Sequence, residues 1–207
     1  MRIFYASEYK YPIQNGTRLW YNNLYLPLKD LGHDLIPFDY NITPHFENLD
    51  FTKERDAHFI EMNRHKLEDT LLKQIKLAQH KNKIDVFFSY FYSALCRKEI
   101  IEEIKKMGII TINWYCNASY QFHLVKDIAP AFDYCLVPEK FRLVDYKNIG
   151  ANPIYFQEAA NPNIYKPVNI DKTIDVSFAG SKYGDRVEMV NYITSNRIPI
   201  NVYGNGW

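Results

Sequence analysis

Residues 84–114 read IDVFFSYFYSALCRKEIIEEIKKMGIITINW, and this stretch decides the fold. Its two ends, residues 84–90 and 109–114, are short runs rich in β-branched and aromatic residues, which predict buried strands. Residues 97–107 between them have the periodicity of a helix. Because two strands joined by a crossover of helix length cannot be hairpin neighbours, they are expected to pair in parallel.

The same alternation continues on both sides of this stretch. Further strands are predicted at 2–6, 34–38, 133–137 and 153–156, and further helices at 17–31, 52–81, 119–128 and 139–146. This order favours an α/β fold, a Rossmann-like parallel sheet with helices on both faces. Ligands of such sheets bind beyond the carboxyl ends of the strands, so the site is expected in the loops after Ala6, Tyr90, Trp114 and Val137.

The chain is expected to contain one complete domain and the start of a second. Residues 1–157 form the first domain, and residues 158–172, with two prolines and no periodicity, are predicted as a linker. Residues 173–207 contain a predicted strand, helix and strand, which begin a second Rossmann-like domain. One such unit buries little apolar surface, so we expect this second domain to be truncated here.

Composition excludes several classes of function. With 25 basic and 24 acidic residues, the net charge of +1 predicts no nucleic-acid partner. The three cysteines have no paired spacing, which argues against disulfides or a zinc site, and no apolar run is long enough to span a membrane. His58, Glu61 and His65 share one helical face, but a solvated charged face explains them better than a metal site. A cytoplasmic protein without a metal is expected.

Several enzyme classes are recognised by motifs of fixed spacing, and this sequence lacks those motifs. The chain has no Gly-x-Gly-x-x-Gly, Walker loop, Gly-x-Ser-x-Gly or His-Glu-x-x-His motif, so dehydrogenase, NTPase and hydrolase functions lose support. Asp-x-Asp, the metal-diphosphate motif of one large class of glycosyltransferases, is also absent from the sequence. We therefore expect no cofactor.

Seven segments deserve comparison with known families: NGTRLW (15–20), LKDLGHDL (28–35), INWYCN (112–117), FDYCLV (132–137), YKNIG (146–150), QEAANPNIYKP (157–167) and IDVSFAGS (174–181). Together they resemble the GT-B glycosyltransferases, and in particular the branch of the spore protein CgeB. The resemblance implies transfer of a sugar from a nucleotide-sugar donor to a glycan or other small acceptor, which the first domain receives. The branch tends to have acidic residues after its tryptophan, where this chain has Cys116 and Asn117.

The expected acceptor-binding residues follow the predicted strands. Gly16 and Thr17 open a helix whose free N–H groups could face a sugar oxygen, although ordinary capping explains them too. The others are Tyr92, Trp114, Tyr115 and Asn117, whose aromatic members could equally belong to the core.

An inverting transferase needs a base near the acceptor hydroxyl, and Asn117 cannot be that base. The candidates are His123, Asp127 and Glu158, of which His123 could be a plain surface residue. A retaining mechanism would relax this demand.

For the second domain, the resemblance implies donor binding by Gly180, Ser181 and Arg186. Glycine permits close approach, and arginine offers a planar fork to the diphosphate. A turn with a solvated arginine is the alternative. A different function also stays open, namely a non-catalytic α/β module that binds a sugar or nucleotide, or one subunit of a split transferase completed by a C-terminal domain or partner subunit.

Overall fold

The computed structural model describes residues 1–7, 18–45 and 49–207. It divides into two compact units, Met1–Tyr165 and Lys166–Trp207. The division lies inside the segment predicted as a linker, and residues 158–165 belong to the first unit. None of the helices in the described ranges has the length and apolar character needed to cross a membrane.

The first unit is built on one parallel sheet of six strands in the order β2-β1-β3-β4-β5-β6. Its strands are β1 Arg2–Ala6, β2 Asp34–Pro37, β3 Val86–Ser89, β4 Ile110–Trp114, β5 Tyr134–Val137 and β6 Pro153–Tyr155. Helices flank the sheet, which confirms the predicted Rossmann-like α/β fold. Every residue of β3 is buried, as expected of a strand inside a parallel sheet that is covered on both faces.

The described residues of this unit form five α-helices. They are α1 Leu26–Asp30, α2 Glu54–Lys81, α3 Lys98–Lys106, α4 Ala118–Val125 and α5 Leu143–Asn148. A π-helix, Tyr21–Tyr25, precedes α1, so residues 21–30 of the predicted helix are two kinds of helix in series. The long α2 carries the chain from β2, past β1, to β3 on the other side. The strand order therefore reverses between β1 and β3, and their carboxyl ends form the switch point where such sheets bind ligands.

An ion pair between a buried carboxylate and a half-exposed arginine fixes the loop between β3 and α3. The Glu68 carboxylate on α2 is 1% exposed and accepts hydrogen bonds from the Arg97 backbone N–H at 2.7 Å and from its guanidinium Nη2 at 2.6 Å. The Arg64 guanidinium lies 4.0 Å from the same carboxylate. A buried carboxylate is tolerated only when paired in this way, so Glu68 serves the fold and not the chemistry.

The second unit is a single strand-helix-strand motif. Strands β7 Ser177–Ala179 and β8 Asn201–Tyr203 pair in parallel, and α6 Arg186–Ser195 joins them. Of residues 166–207, all of which the structure describes, Val190 is the one buried apolar residue. Gly204 follows β8 at φ +137°, and a Cβ there would lie 2.2 Å from the carbonyl oxygen of Gly180. Close approach of two backbone segments therefore requires glycine at this position.

Candidate functional site

A cleft of about 560 Å³ opens in the first unit beside the switch point. Three parts of the chain form its walls: the helical residues after β1, the loop after β4 and the segment after β6. Each part follows the carboxyl end of a strand, so all three walls lie at the same edge of the sheet. The lining residues used below are Trp20, Asn23, Trp114, Cys116, Asn117, Phe156, Glu158 and Tyr165.

Aromatic rings make up much of the cleft. Trp114, the last residue of β4, is 8% exposed and packs edge-on against Trp20 at a centroid distance of 4.8 Å. Phe156 lies 6.2 Å from Trp114 in a similar T-shaped arrangement. Phe156 and Tyr165 remain 37% and 49% exposed, so apolar ring surface is available to a ligand. Trp114 and Trp20 therefore build the wall, while Phe156 and Tyr165 offer the accessible faces.

A buried side-chain network fixes this wall in place. Asn113 lies one residue before Trp114, and its Oδ1 accepts hydrogen bonds from the Ser89 hydroxyl at 3.0 Å and the Phe91 N–H at 2.8 Å. Its Nδ2 donates to the Phe91 carbonyl at 2.9 Å. These bonds join the carboxyl ends of β3 and β4, so Tyr90 and Trp114 are held side by side.

The polar groups that follow β3 and β4 at the cleft are neutral. Burial, followed by the charge of Glu158, raises the pKa of the Cys116 thiol to about 12. Burial also raises the pKa of Tyr90, whose hydroxyl lies 3.8 Å from the Cys116 Sγ. Asn117 donates from Nδ2 to the Tyr90 hydroxyl at 3.2 Å. At neutral pH Cys116 is a thiol and not a nucleophilic thiolate.

The three candidate bases are placed differently. Glu158 is exposed and is the one carboxylate in the described lining of the cleft. His123 lies on α4, outside the lining, with its Nε2 3.5 Å from the Asp50 carboxylate. Asp127 is exposed in the turn after α4 and does not line the cleft. Geometry therefore favours Glu158 among these three.

The remaining predicted acceptor residues divide between lining and support. Trp114 and Asn117 line the cleft, whereas Tyr92 and Tyr115 are almost fully buried. The Tyr92 hydroxyl donates to the backbone carbonyl of His45 and accepts from the Leu49 N–H, so it anchors the chain that leads into α2. The Tyr115 hydroxyl donates to Gln121 Oε1 at 3.0 Å. Both residues support the site from within the core; Gly16 and Thr17 lie outside the described residues.

The predicted donor residues come together at the turn before α6 in the second unit. The Gly180 N–H donates to the Tyr203 carbonyl at 2.8 Å, and the Arg186 guanidinium donates to the Ser181 carbonyl and the Tyr183 hydroxyl, each at 2.9 Å. The same guanidinium lies 3.9 Å from the Tyr183 ring centroid. Arg186 is thus folded back over its own loop.

Several residues that line the cleft were not predicted as site residues from the sequence. Phe156 directly follows β6, so extending the carboxyl-edge rule to that strand would have found it. Trp20 and Asn23 belong to the helix after β1, and nothing in their local pattern separates them from ordinary helix residues.

Comparison with protein-family models and with curated proteins finds no match for this chain. Within the described residues, no group of three or more His, Cys, Asp or Glu side chains is arranged to hold a metal ion.

Proposed function

We propose that the cleft of the first unit binds a glycoside, and that this unit is the acceptor side of a glycosyltransferase that uses a nucleotide-sugar donor. The observation that carries the proposal is the combination of exposed aromatic rings with one carboxylate and two carboxamides, at the carboxyl edge of a Rossmann-like sheet. This edge is where such sheets bind their ligands.

The chemistry of the walls suits a sugar ring. A sugar has C–H faces that pack on aromatic rings, and Phe156 and Tyr165 present such rings to the cleft. Its hydroxyls need hydrogen-bond partners, which Glu158 and Asn117 supply from two different walls. A pocket that is mostly apolar with a few placed polar groups is typical of small-molecule sites.

In the proposed reaction, Glu158 acts as the general base. Its carboxylate takes the proton of the acceptor hydroxyl as that oxygen attacks the anomeric carbon of the donor. The bond between the anomeric carbon and the diphosphate breaks at the same time, and the diphosphate leaves with the electron pair. In the second unit, taken by itself, Ser181 and Arg186 are proposed to bind the donor diphosphate once Arg186 leaves its internal bonds, and Gly180 would permit close approach.

The first test is calorimetric titration of the chain with simple glycosides and, separately, with UDP-, GDP- and TDP-sugars. We expect glycosides to bind the cleft, and Phe156→Ala to weaken them about tenfold because an aromatic contact is lost. Phe141→Ala is the matched control, since Phe141 is 63% exposed and lies outside the cleft. A nucleotide sugar that binds and is displaced by glycosides would contradict the assignment of this cleft to the acceptor.

The second test addresses catalysis in a protein that contains this chain and transfers a sugar. Glu158→Gln is expected to lower kcat about 10²- to 10⁴-fold, the usual worth of a general base. Asp127→Asn, an acid-to-amide change at a candidate outside the cleft, should leave kcat unchanged. If Asp127→Asn is the damaging change, the role assigned to Glu158 is wrong.

A non-catalytic sugar-binding module is the second candidate function. It is favoured by the neutral state of Cys116, which leaves Glu158 as the one charged side chain in the described lining. Glycoside binding that survives Glu158→Gln, in a full protein that releases no nucleotide from any sugar donor, would select this module.

A further inference from the structure

Asn161 connects two walls of the cleft that are far apart in the sequence. Its backbone N–H donates to Asn23 Oδ1 at 2.7 Å, and its side-chain Nδ2 donates to the backbone carbonyl of Asn22 at 2.9 Å. The partners are 138 and 139 residues apart along the chain. Asn161 is itself 4% exposed, so these bonds are shielded from water.

The carbonyl of Asn22 is available because of the π-helix and Pro27. In this helix the Leu26 N–H donates to the carbonyl of Tyr21, five residues earlier. In the same register the carbonyl of Asn22 would pair with the N–H of residue 27, and proline has none. Asn161 supplies the missing donor. Asn22 is half-buried, and a carbonyl that is withdrawn from water without a partner is costly, so this bond is more than an incidental contact.

The other side of Asn161 is equally well fixed. Its Oδ1 accepts the Asn163 N–H at 3.0 Å, and its carbonyl accepts the Tyr165 N–H at 2.8 Å. These bonds hold residues 161–165 in a compact turn, which places Tyr165 and the preceding Glu158 at the cleft. Asn161 therefore bonds the turn of residues 161–165 directly to the π-helix.

We propose that Asn161 is a positioning residue that sets the width of the cleft, by bonding the segment that carries Glu158 to the π-helix that carries Asn23. The two hydrogen bonds from Asn161 to Asn22 and Asn23 are called the Asn161 clamp. Its role in acceptor binding rests on the proposed function, but its effect on the cleft does not.

Cys116 provides a readout that needs no ligand. It lines the cleft and is half-buried, whereas Cys96 and Cys135 are buried elsewhere in the core. Alkylation by N-ethylmaleimide, followed at each cysteine by peptide mass spectrometry, reports how open the cleft is. Loss of the clamp opens the cleft and exposes Cys116 alone, whereas general destabilisation exposes all three thiols.

The perturbation is Asn161→Asp, which keeps the size and the acceptor oxygen but replaces the donor to Asn22 by a second oxygen. We expect alkylation of Cys116 to become about tenfold faster, since loss of a buried hydrogen bond raises the population of an open form by about that factor. Asn163→Asp is the matched control: it adds the same charge two residues later, and its rate should equal that of the unaltered protein.

Asn23→Ala is a second variant in case Asn161→Asp fails to fold. It removes the acceptor of the Asn161 N–H at a half-buried helix position where alanine is well tolerated. This variant should accelerate the alkylation of Cys116 by about the same factor as Asn161→Asp. An unchanged Cys116 rate in both variants, or a parallel rise at Cys96 and Cys135, overturns the clamp.

Calorimetry with a glycoside on the same variants separates the two proposals. If the unaltered chain binds a glycoside, Asn161→Asp should bind it about tenfold more weakly, because the closed form of the cleft that binds the glycoside is less populated in this variant. If the unaltered chain binds no glycoside, the proposed function fails, and the alkylation rates still decide whether Asn161 holds the cleft.

Discussion

His45 is an unusual member of the core of the first unit. It is 3% exposed, and neither ring nitrogen has a hydrogen-bond partner among the described residues. Its ring packs edge-on against Phe59 at 5.3 Å and lies 5.9 Å from the ring of Tyr40. Burial lowers the pKa of His45 below its ordinary value of 6.5. Protonation would place a charge among aromatic rings, so the folded protein resists it.

This resistance makes stability depend on pH. As the pH falls through 6.5, the unfolded chain takes up a proton at position 45 before the folded protein does, and the free energy of unfolding falls. If folded His45 stays neutral down to pH 5, the loss between pH 7 and pH 5 is about 2 kcal/mol for this one group. That value is the upper limit, since any protonation of the folded state within this range reduces it.

The test is His45→Phe, which keeps an aromatic ring against Phe59 and removes both nitrogens. Between pH 7 and pH 5 the free energy of unfolding should fall less in this variant than in the unaltered protein, and the difference should reach up to about 2 kcal/mol. Urea denaturation followed by circular dichroism measures both values. His58→Phe, the same change at an exposed position of α2, should keep the original pH dependence. If His45→Phe loses as much stability as the unaltered protein over this range, His45 is not the group responsible.

Two further substitutions test the packing of each unit. Glu68→Ala should lower the free energy of unfolding by about 2–3 kcal/mol in the same urea assay, because it leaves the bonded arginine and its backbone N–H without a buried partner. Glu103→Ala, which breaks an exposed ion pair, should cost about 0.5 kcal/mol or less, and an equal loss in both would contradict the account of Glu68. Gly204→Ala should speed hydrogen exchange across residues 177–203, because its Cβ would meet the carbonyl oxygen of Gly180. Gly184→Ala has open space and should cost only about 1 kcal/mol of backbone strain, so faster exchange in this control than in Gly204→Ala would refute the argument.

Local patterns explain why the fold could be predicted. The strands of residues 84–90 and 109–114 were recognisable because strands inside a parallel sheet are short runs rich in β-branched and aromatic residues. The helix of residues 97–107 was recognisable from its period. The π-helix was not, because its wider turn depends on a packing partner and leaves no reliable sequence pattern. Pro27 is visible in the sequence as an irregularity in the helix, but the donor that replaces its missing N–H comes from the distant Asn161.

The site was only partly predictable, for a different physical reason. Trp114 and Asn117 could be placed at the carboxyl edge because the position of a strand end follows from the strand. Tyr92 follows β3 in the same way, yet its hydroxyl turns into the core to bond the chain before α2. Position along the chain specifies the edge of the sheet, and packing against distant segments specifies which way a side chain faces.

The sequence alone determined the class of fold, because alternating apolar runs and helical periods are local properties that each segment carries by itself. Only the tertiary structure decided which residues meet. The cleft exists because Glu158 and Phe156 return beside Trp20, and the Asn161 clamp joins residues 138 and 139 positions apart. No local pattern encodes such a contact, since its energy depends on two segments that acquire a common position only when the whole sheet has formed.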